Sequence, residues 1–316
     1  MAKIYIIMYH YVRNLQSSRY PEIKGLDLEL FRQQIAFMKD KFNFISMEDL
    51  LEVNAGKELK NDSVLLTFDD GYIDHYTNVF PILEANGING FFSMPGKILR
   101  EKKVLDVNKI HFILASGRIE AIKDKVFEQL DHYRGCEFAI PSNEELYQEL
   151  AQANRFDNQD VIFVKRLLQV KLEERLRNLI TDDLFREYIP LSEAAFVDEL
   201  YMNQDQIRVM QRHGMTFGLH GYDHYWMNHL ESDKLKEDVQ QALEVFDGVI
   251  DRNHWVCCYP YGSYSDSVIE QIKTMGAVAG ISTDVDAYTP GQHDIFKIPR
   301  LDTNDMPPKS ENYIVI

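Results

Sequence analysis

Cysteine is scarce. Cys136, Cys257 and Cys258 are the only three in 316 residues, too few and too unevenly spaced for a disulfide framework or a structural zinc knuckle. They are expected to be reduced thiols in a cytoplasm. Positive charge is also short: 34 Lys and Arg stand against 50 Asp and Glu, a net charge of −16. Nucleic-acid backbones and anionic membranes repel such a chain, so neither is expected as its main partner. No apolar run approaches the ~20 residues of a membrane span. Met1 to Met8 carries one Lys and a short apolar stretch without a small-residue cleavage site, so it reads as a first strand and not as a leader. What is present is 45% apolar and 27% charged residues, as in a soluble globular protein with one large core or two modest ones.

Hydrophobic patterning gives the organisation. Ile4–Tyr9 is a buried strand, and Asp27 caps a helix that turns Leu28, Phe31, Ile35 and Met38 inward. A short helix covers Ser46–Val53. Ser63–Phe68 is a strand ending at Asp69, Asp70 and Gly71; a helix runs on to Asn86, where Gly87 stops it, and Ile88–Met94 is the next strand. Strands alternating with helices imply a parallel α/β sheet with crossover connections. The alternation breaks over residues 97–202, where Val107–Ala115, Ile119–Leu130, Asn143–Gln152 and Val161–Ile180 have helical spacing and high charge. It resumes with a helix capped by Asn203, a strand over Thr216–Leu219, a helix over Ser232–Ile250, a strand over Trp255–Tyr259 and a helix over Ser265–Met275. Ala277–Ser282 and Phe296–Pro299 are the last strands. The domain reading is 1–96 with 203–316 as one unit and 97–202 as a helical insertion, either a cap on the site or an oligomerisation surface.

Polar groups collect just past the C-terminal ends of these strands: His10, the Asp69–Asp70 pair, His220 with His224, and Tyr259–Pro260–Tyr261. That edge of a parallel sheet hosts active sites. Adjacent carboxylates after a buried strand repel one another, and a cation relieves the repulsion; a helix cap is the competing explanation. His220 and His224 are four residues apart, which on a helical turn would place both imidazoles on one face, as in many metal sites. Two surface or packed histidines would show the same spacing. Taken with a strand-end carboxylate they form a candidate 2-His-1-carboxylate set with positions open for water and substrate.

Thr67-Phe68-Asp69-Asp70-Gly71, the His220–His224 segment (HGYDH) and Tyr259-Pro260-Tyr261-Gly262 together resemble the polysaccharide deacetylases, the NodB-homology group of carbohydrate esterase family 4. The strand at residues 88–94 is also similar, and the resemblance covers about residues 1–96 and 203–305. It implies a distorted (β/α)7-type barrel. Gly221 stands where the family usually has Ser or Thr, and the family's motif Trp has no match, since Trp226 and Trp255 lie elsewhere. The YPYG segment lacks an Arg, as in the poly-N-acetylglucosamine deacetylases of biofilm systems. In that circularly permuted subgroup the general-acid His lies on the first strand, which here matches Met8-Tyr9-His10.

The resemblance implies a role for each matched residue. Asp70, His220 and His224 hold a divalent metal, most plausibly Zn2+, which acidifies a water and polarises the acetyl carbonyl. Asp69 is the base, Arg300 supports it, the Tyr261 backbone N–H faces the oxyanion and His10 protonates the leaving amine. The implied reaction is hydrolysis of an acetamido group on a carbohydrate, on a small glycan, nucleotide-linked sugar or precursor. Arg13, Arg19, Lys97 and Arg100 are candidates for phosphate contacts. The alternatives are an O-acetyl esterase or other amide hydrolase using the same site, and an inactive sugar-binding homologue.

Overall fold

A run such as Ser-Val-Leu-Leu-Thr-Phe has no polar side to offer water, so it must be covered on both faces, which is the condition of a strand inside a parallel sheet. In a computed structural model, described for residues 2–153 and 157–315, all six of these residues are buried. Among the described residues eight strands form the sheet, seven of them along its main path: β1 Ile4–Tyr9, β2 Ser63–Phe68, β3 Phe91–Met94, β4 Thr216–Leu219, β5 Trp255–Cys258, β6 Ala277–Ile281 and β7 Leu301–Asp302. Their spatial order is β7-β1-β2-β3-β4-β5-β6, with Asn43–Phe44 pairing beside β2, and every ladder is parallel. β1 and β2 run in full register, from Ile4 opposite Ser63 to Tyr9 opposite Phe68.

The sheet curls into a distorted barrel. Its seam, between β6 and β1, is filled by irregular chain: Tyr288 bridges to Ile4, and Ile298 bridges to Ile281. A strand over Phe296–Pro299 was expected here. Pro299 has no N–H to donate to a ladder, only Ile298 pairs, and the true last strand is β7, against Ile7 and Met8 of β1.

Six helices cover the barrel: α1 Leu28–Lys41, α2 Met47–Asn54, α3 Phe80–Ala85, α4 Gln204–Arg212, α5 Ser232–Val245 and α6 Asp266–Thr274. The caps expected at Asp27 and Asn203 are present, and Ser46 and Ser265, read as first helical residues, are caps as well, each accepting a backbone N–H from the first turn. α5 stops at Val245, short of the expected Ile250. A π turn, His75–Val79, precedes α3.

Period-two alternation decides what the barrel interior contains. Ile4 and Ile6 of β1, Leu65 of β2, Phe91 of β3, Val256 of β5 and Ala279 and Ile281 of β6 belong to one buried cluster. Two residues further along the same faces come Thr67 and then Asp69, Ser93 and Cys258. The interior thus changes from apolar to polar at the C-terminal ends of the strands.

A second compact unit comprises residues 15–24 and 104–196. Its helices include Asp106–Ser116, Ile119–Tyr133, Asn143–Leu150, Gln159–Arg166 and Glu174–Tyr188. Phe112, Phe163, Phe185 and Phe196 are buried in this unit, so Phe163 and Phe185 are packing residues. The helix expected over Val161–Ile180 is broken: a π turn at Leu167–Lys171 is followed by Leu172 in extended conformation, and a new helix starts at Glu174. The break lets Leu167, Leu168, Leu172 and Leu176 all be buried. Lys109, buried here, is neutralised by Asp182 at 2.5 Å and Glu193 at 3.0 Å.

Candidate active site

Strained backbone marks the site before any side chain is considered. Among the described residues four non-glycine residues have positive φ, and three of them follow β2, β4 and β5: Asp70 at 74°, His224 at 56° and Tyr261 at 58°. Such conformations cost of order 1–3 kcal/mol each and concentrate at functional sites. Gly71, at φ 70°, completes the first turn; a Cβ there would lie 2.6 Å from the Met94 methyl.

Asp70, His220 and His224 converge. Their ligand-capable atoms all lie within 4.8 Å of one another, and all three residues are buried. Asp70 Oδ1 is 3.4 Å from His220 Nε2 and 3.3 Å from His224 Nε2. Its other oxygen accepts a hydrogen bond from the Tyr72 hydroxyl at 2.5 Å. Burial, and then the neighbouring Asp70 charge, push the Tyr72 phenol well above its ordinary pKa, so it stays a donor. His220 Nδ1 donates to the Cys258 carbonyl at 2.7 Å, which orients the ring with Nε2 toward Asp70. Burial alone would raise the Asp70 carboxyl, but the imidazoles of His220 and His224 hold it well below the ordinary range. Asp70 Oδ1 accepts no hydrogen bond from a described residue. A buried carboxylate oxygen left bare between two imidazole nitrogens fits a divalent cation.

The helical reading of the His220–His224 spacing is corrected. The segment is a loop, and Gly221 at φ 70° and His224 at φ 56° turn it so that both rings point one way. The loop is held by Asp238 on α5. Its carboxylate, buried, accepts the Tyr222 N–H at 2.9 Å and the Asp223 N–H at 3.1 Å. A Cβ on Gly221 would sit 3.0 Å from Asp238 Oδ2 and crowd that carboxylate, and the φ of 70° itself favours glycine. Burial pushes the Asp238 carboxyl up to about 6.

Asp69 points into the same cavity and makes a different set of contacts. Oδ1 accepts from the Ser93 hydroxyl at 2.6 Å and the Cys258 thiol at 3.3 Å. Oδ2 pairs with Arg300 Nη1 at 2.8 Å. Arg300 is itself buried, anchored on the Ser282 carbonyl through Nε and on the Thr67 hydroxyl through Nη1. Burial works to raise the Asp69 carboxyl, and Arg300, with His220 and His10, more than offsets it, so Asp69 remains ionised far below its usual range. His10, its side chain 40% exposed, has Nε2 at 4.0 Å from Asp69 Oδ2.

Tyr261 stands over His224, ring centroids 4.6 Å apart, and Trp226 stacks on Tyr261 at 4.4 Å and 6°. All seven site residues read from the sequence are therefore placed around the strand ends: His10, Asp69, Asp70, His220, His224, Tyr261 and Arg300. The basic residues offered for phosphate behave otherwise. Arg13 pairs with Asp74, Lys97 with Asp223 and Arg100 with Glu244. Ser93, Cys258, Asp238 and Trp226, which have no site role in the sequence reading, also stand at the site or support it. Asp238 carries a readable signal, a charge in the apolar stripe Leu235, Val239, Ala242 of its helix. Ser93 and Cys258 carry the strand alternation described above.

Comparison with known proteins agrees with this geometry. The profile of the polysaccharide deacetylase family matches residues 56–125 and 187–280, just over half of the chain. YxkH of Bacillus subtilis (strain 168) is 17% identical over 293 residues, covering 92% of this chain and 68% of that protein. The poly-beta-1,6-N-acetyl-D-glucosamine N-deacetylase of Escherichia coli (strain K12) is 43% identical over 56 residues, 17% of this chain and 8% of its own length. Among solved structures, the Streptococcus pyogenes deacetylase PplD in complex with acetate superimposes with a TM-score of 0.60 at 16% identity, covering 99% of this chain and 97% of that one, a likeness of fold.

Proposed function

The chain belongs to the polysaccharide deacetylase family, and on that premise we propose that it is a metal-dependent hydrolase that removes acetyl groups from N-acetylated sugars. The observation that carries the proposal is the bare Asp70 Oδ1 between two imidazole Nε2 atoms, beside a second carboxylate that is held ionised. A divalent cation gripped by Asp70, His220 and His224, zinc by the character of these ligands, would supply an acidified water and a Lewis acid for the acetyl carbonyl.

The chain's own groups supply the rest. Asp69 takes the proton of the attacking water as general base. Arg300, through its charge-assisted bond at 2.8 Å, keeps that carboxylate ionised and oriented. The Tyr261 backbone N–H, on a turn fixed by its positive φ, faces the developing oxyanion. His10, partly exposed at the rim, gives its proton to the leaving amine, without which an amide nitrogen departs poorly. Residues 1–96 with 203–316 are proposed as the catalytic unit and 97–202 as an insertion into it; the family match runs on through 97–125 and 187–202, so the stretch it skips is the narrower 126–186, and residues 15–24 group with 104–196.

The substrate proposed is an N-acetylated glycan or sugar precursor. The name of the Escherichia coli relative makes N-acetylglucosamine oligosaccharides the first probe. Metal-loaded protein incubated with these and with O-acetylated sugars, followed by mass spectrometry of acetate and free amine, tests the reading. Release of both acetate and amine is expected. Acetate from the O-acetyl sugars alone would turn the assignment to an esterase, and no acetate from either would overturn it.

A further inference from the structure

His10 sits where β1 ends, and the chain beyond it must be held in place by something other than the main ladder. On the upstream side the hold is backbone: Tyr9 pairs with Phe68, and the Tyr9 carbonyl accepts the Asp69 N–H at 2.9 Å. On the downstream side Val12 and Arg13 pair with Leu26 and Asp27, the Tyr11 carbonyl accepts the Leu26 N–H at 2.9 Å, and side chains of one short segment, residues 74–78, bind the same stretch. His75 Nε2 lies 2.9 Å from the His10 carbonyl and donates to it. Asn78 Nδ2 donates to the Val12 carbonyl at 2.8 Å. Asp74 Oδ2 accepts the Val12 N–H at 3.1 Å and Arg13 Nε at 2.7 Å.

The local geometry explains how one segment reaches three consecutive anchor points. Residues 75–79 form a π turn, closed by the Phe80 N–H on the His75 carbonyl. His75 and Asn78 both belong to this turn, and π turns recur at functional sites. His75 is fully buried, its ring against Phe68, Tyr72 and Phe92. The turn begins five residues after Asp70, so the element that follows the acidic pair also fixes the backbone of His10.

We propose that Asp74, His75 and Asn78 are positioning residues for His10, setting the imidazole against Asp69 by clamping the backbone of residues 10–13. This rests on the reading of His10 as the proton donor. A group that must deliver a proton to a leaving nitrogen tolerates little displacement, and misplacement by about 1 Å costs about 10²-fold in a catalytic step.

The test compares Asn78→Ala, His75→Leu and His75→Gln, alone and combined with His10→Ala. Each is assayed on an N-acetylglucosamine oligosaccharide, whose amine leaving group needs an acid, and on an activated aryl acetate, which does not. Asn78→Ala is expected to lower kcat/KM on the acetamido sugar about tenfold or more while the aryl acetate changes less than about twofold, with metal content retained. His75→Leu follows the same pattern, and His75→Gln, whose amide N–H can still reach the carbonyl, restores most of the loss. In the His10→Ala background Asn78→Ala should cost nothing further, because the residue it positions is gone. Equal losses on both substrates, or a full additional loss in the double variant, would overturn the clamp. If His10→Ala itself harms both substrates equally, the donor assignment fails and the clamp falls with it. If His10→Ala is selective and Asn78→Ala is not, only the clamp falls.

Discussion

Asp69 and Asp70 are chemically identical neighbours whose environments assign them opposite tasks. Asp70 spends one oxygen on Tyr72 and leaves the other bare toward two imidazoles; Asp69 has both oxygens occupied by Ser93, Cys258 and Arg300. Asp70→Asn is therefore expected to lose bound metal, measured by elemental analysis. Asp69→Asn should keep the metal and lose turnover by about 10²-fold or more. It should also unfold at lower temperature, since Arg300 is left buried without its counter-charge, a change that costs about 3–5 kcal/mol in comparable cases. Retention of metal in Asp70→Asn would contradict the division of labour. His75 makes a separate prediction. Burial lowers its pKa from 6.5 to about 4. The folded state disfavours the imidazolium, so its contribution to stability is fully present above pH 6.5 and is lost as pH falls toward 4, about 3 kcal/mol in all. Thermal unfolding between pH 7 and 4.5 should fall more steeply for the native chain than for His75→Gln.

At the scale of elements, the sequence was most legible where the local signals are covalently close. Caps, strand runs and the residues that punctuate them are visible within a few positions, and Asp27, Ser46, Asn203 and Ser265 all cap as their side chains demand. Legibility failed where structure depends on distant chain. The seam is occupied by residues around Tyr288 and Ile298 because β1 and β6 leave a gap, a fact no local window contains. The shape of the HGYDH segment is not local either, which is why the four-residue spacing, suggestive of a helical turn, is met by a loop: Asp238, on a helix that starts eight residues later, holds it. Removing that support should loosen the grip on metal without unfolding the barrel. Asp238→Ala is expected to weaken metal affinity about 10–100-fold, read by chelator competition, with Asp238→Asn intermediate because it keeps one acceptor. Unchanged affinity in Asp238→Ala would mean the loop holds its shape unaided.

For the whole molecule, the metal set draws on loops after β2 and β4, strands that are not neighbours in the sheet, since β3 lies between them. An ion there ties the barrel across an intervening strand and binds only the folded form. Saturating metal at about a hundredfold over its Kd should stabilise the fold by about 2.7 kcal/mol, seen as a drop in unfolding temperature on adding a chelator. An identical unfolding temperature with and without chelator would argue against a resident ion. Arg300 lies just ahead of β7, which pairs with β1, while His10 follows β1 itself. His10 therefore emerges early in translation and Arg300 far later, and the ion pair that holds Asp69 ionised can form only once the chain that leads into β7 has been made.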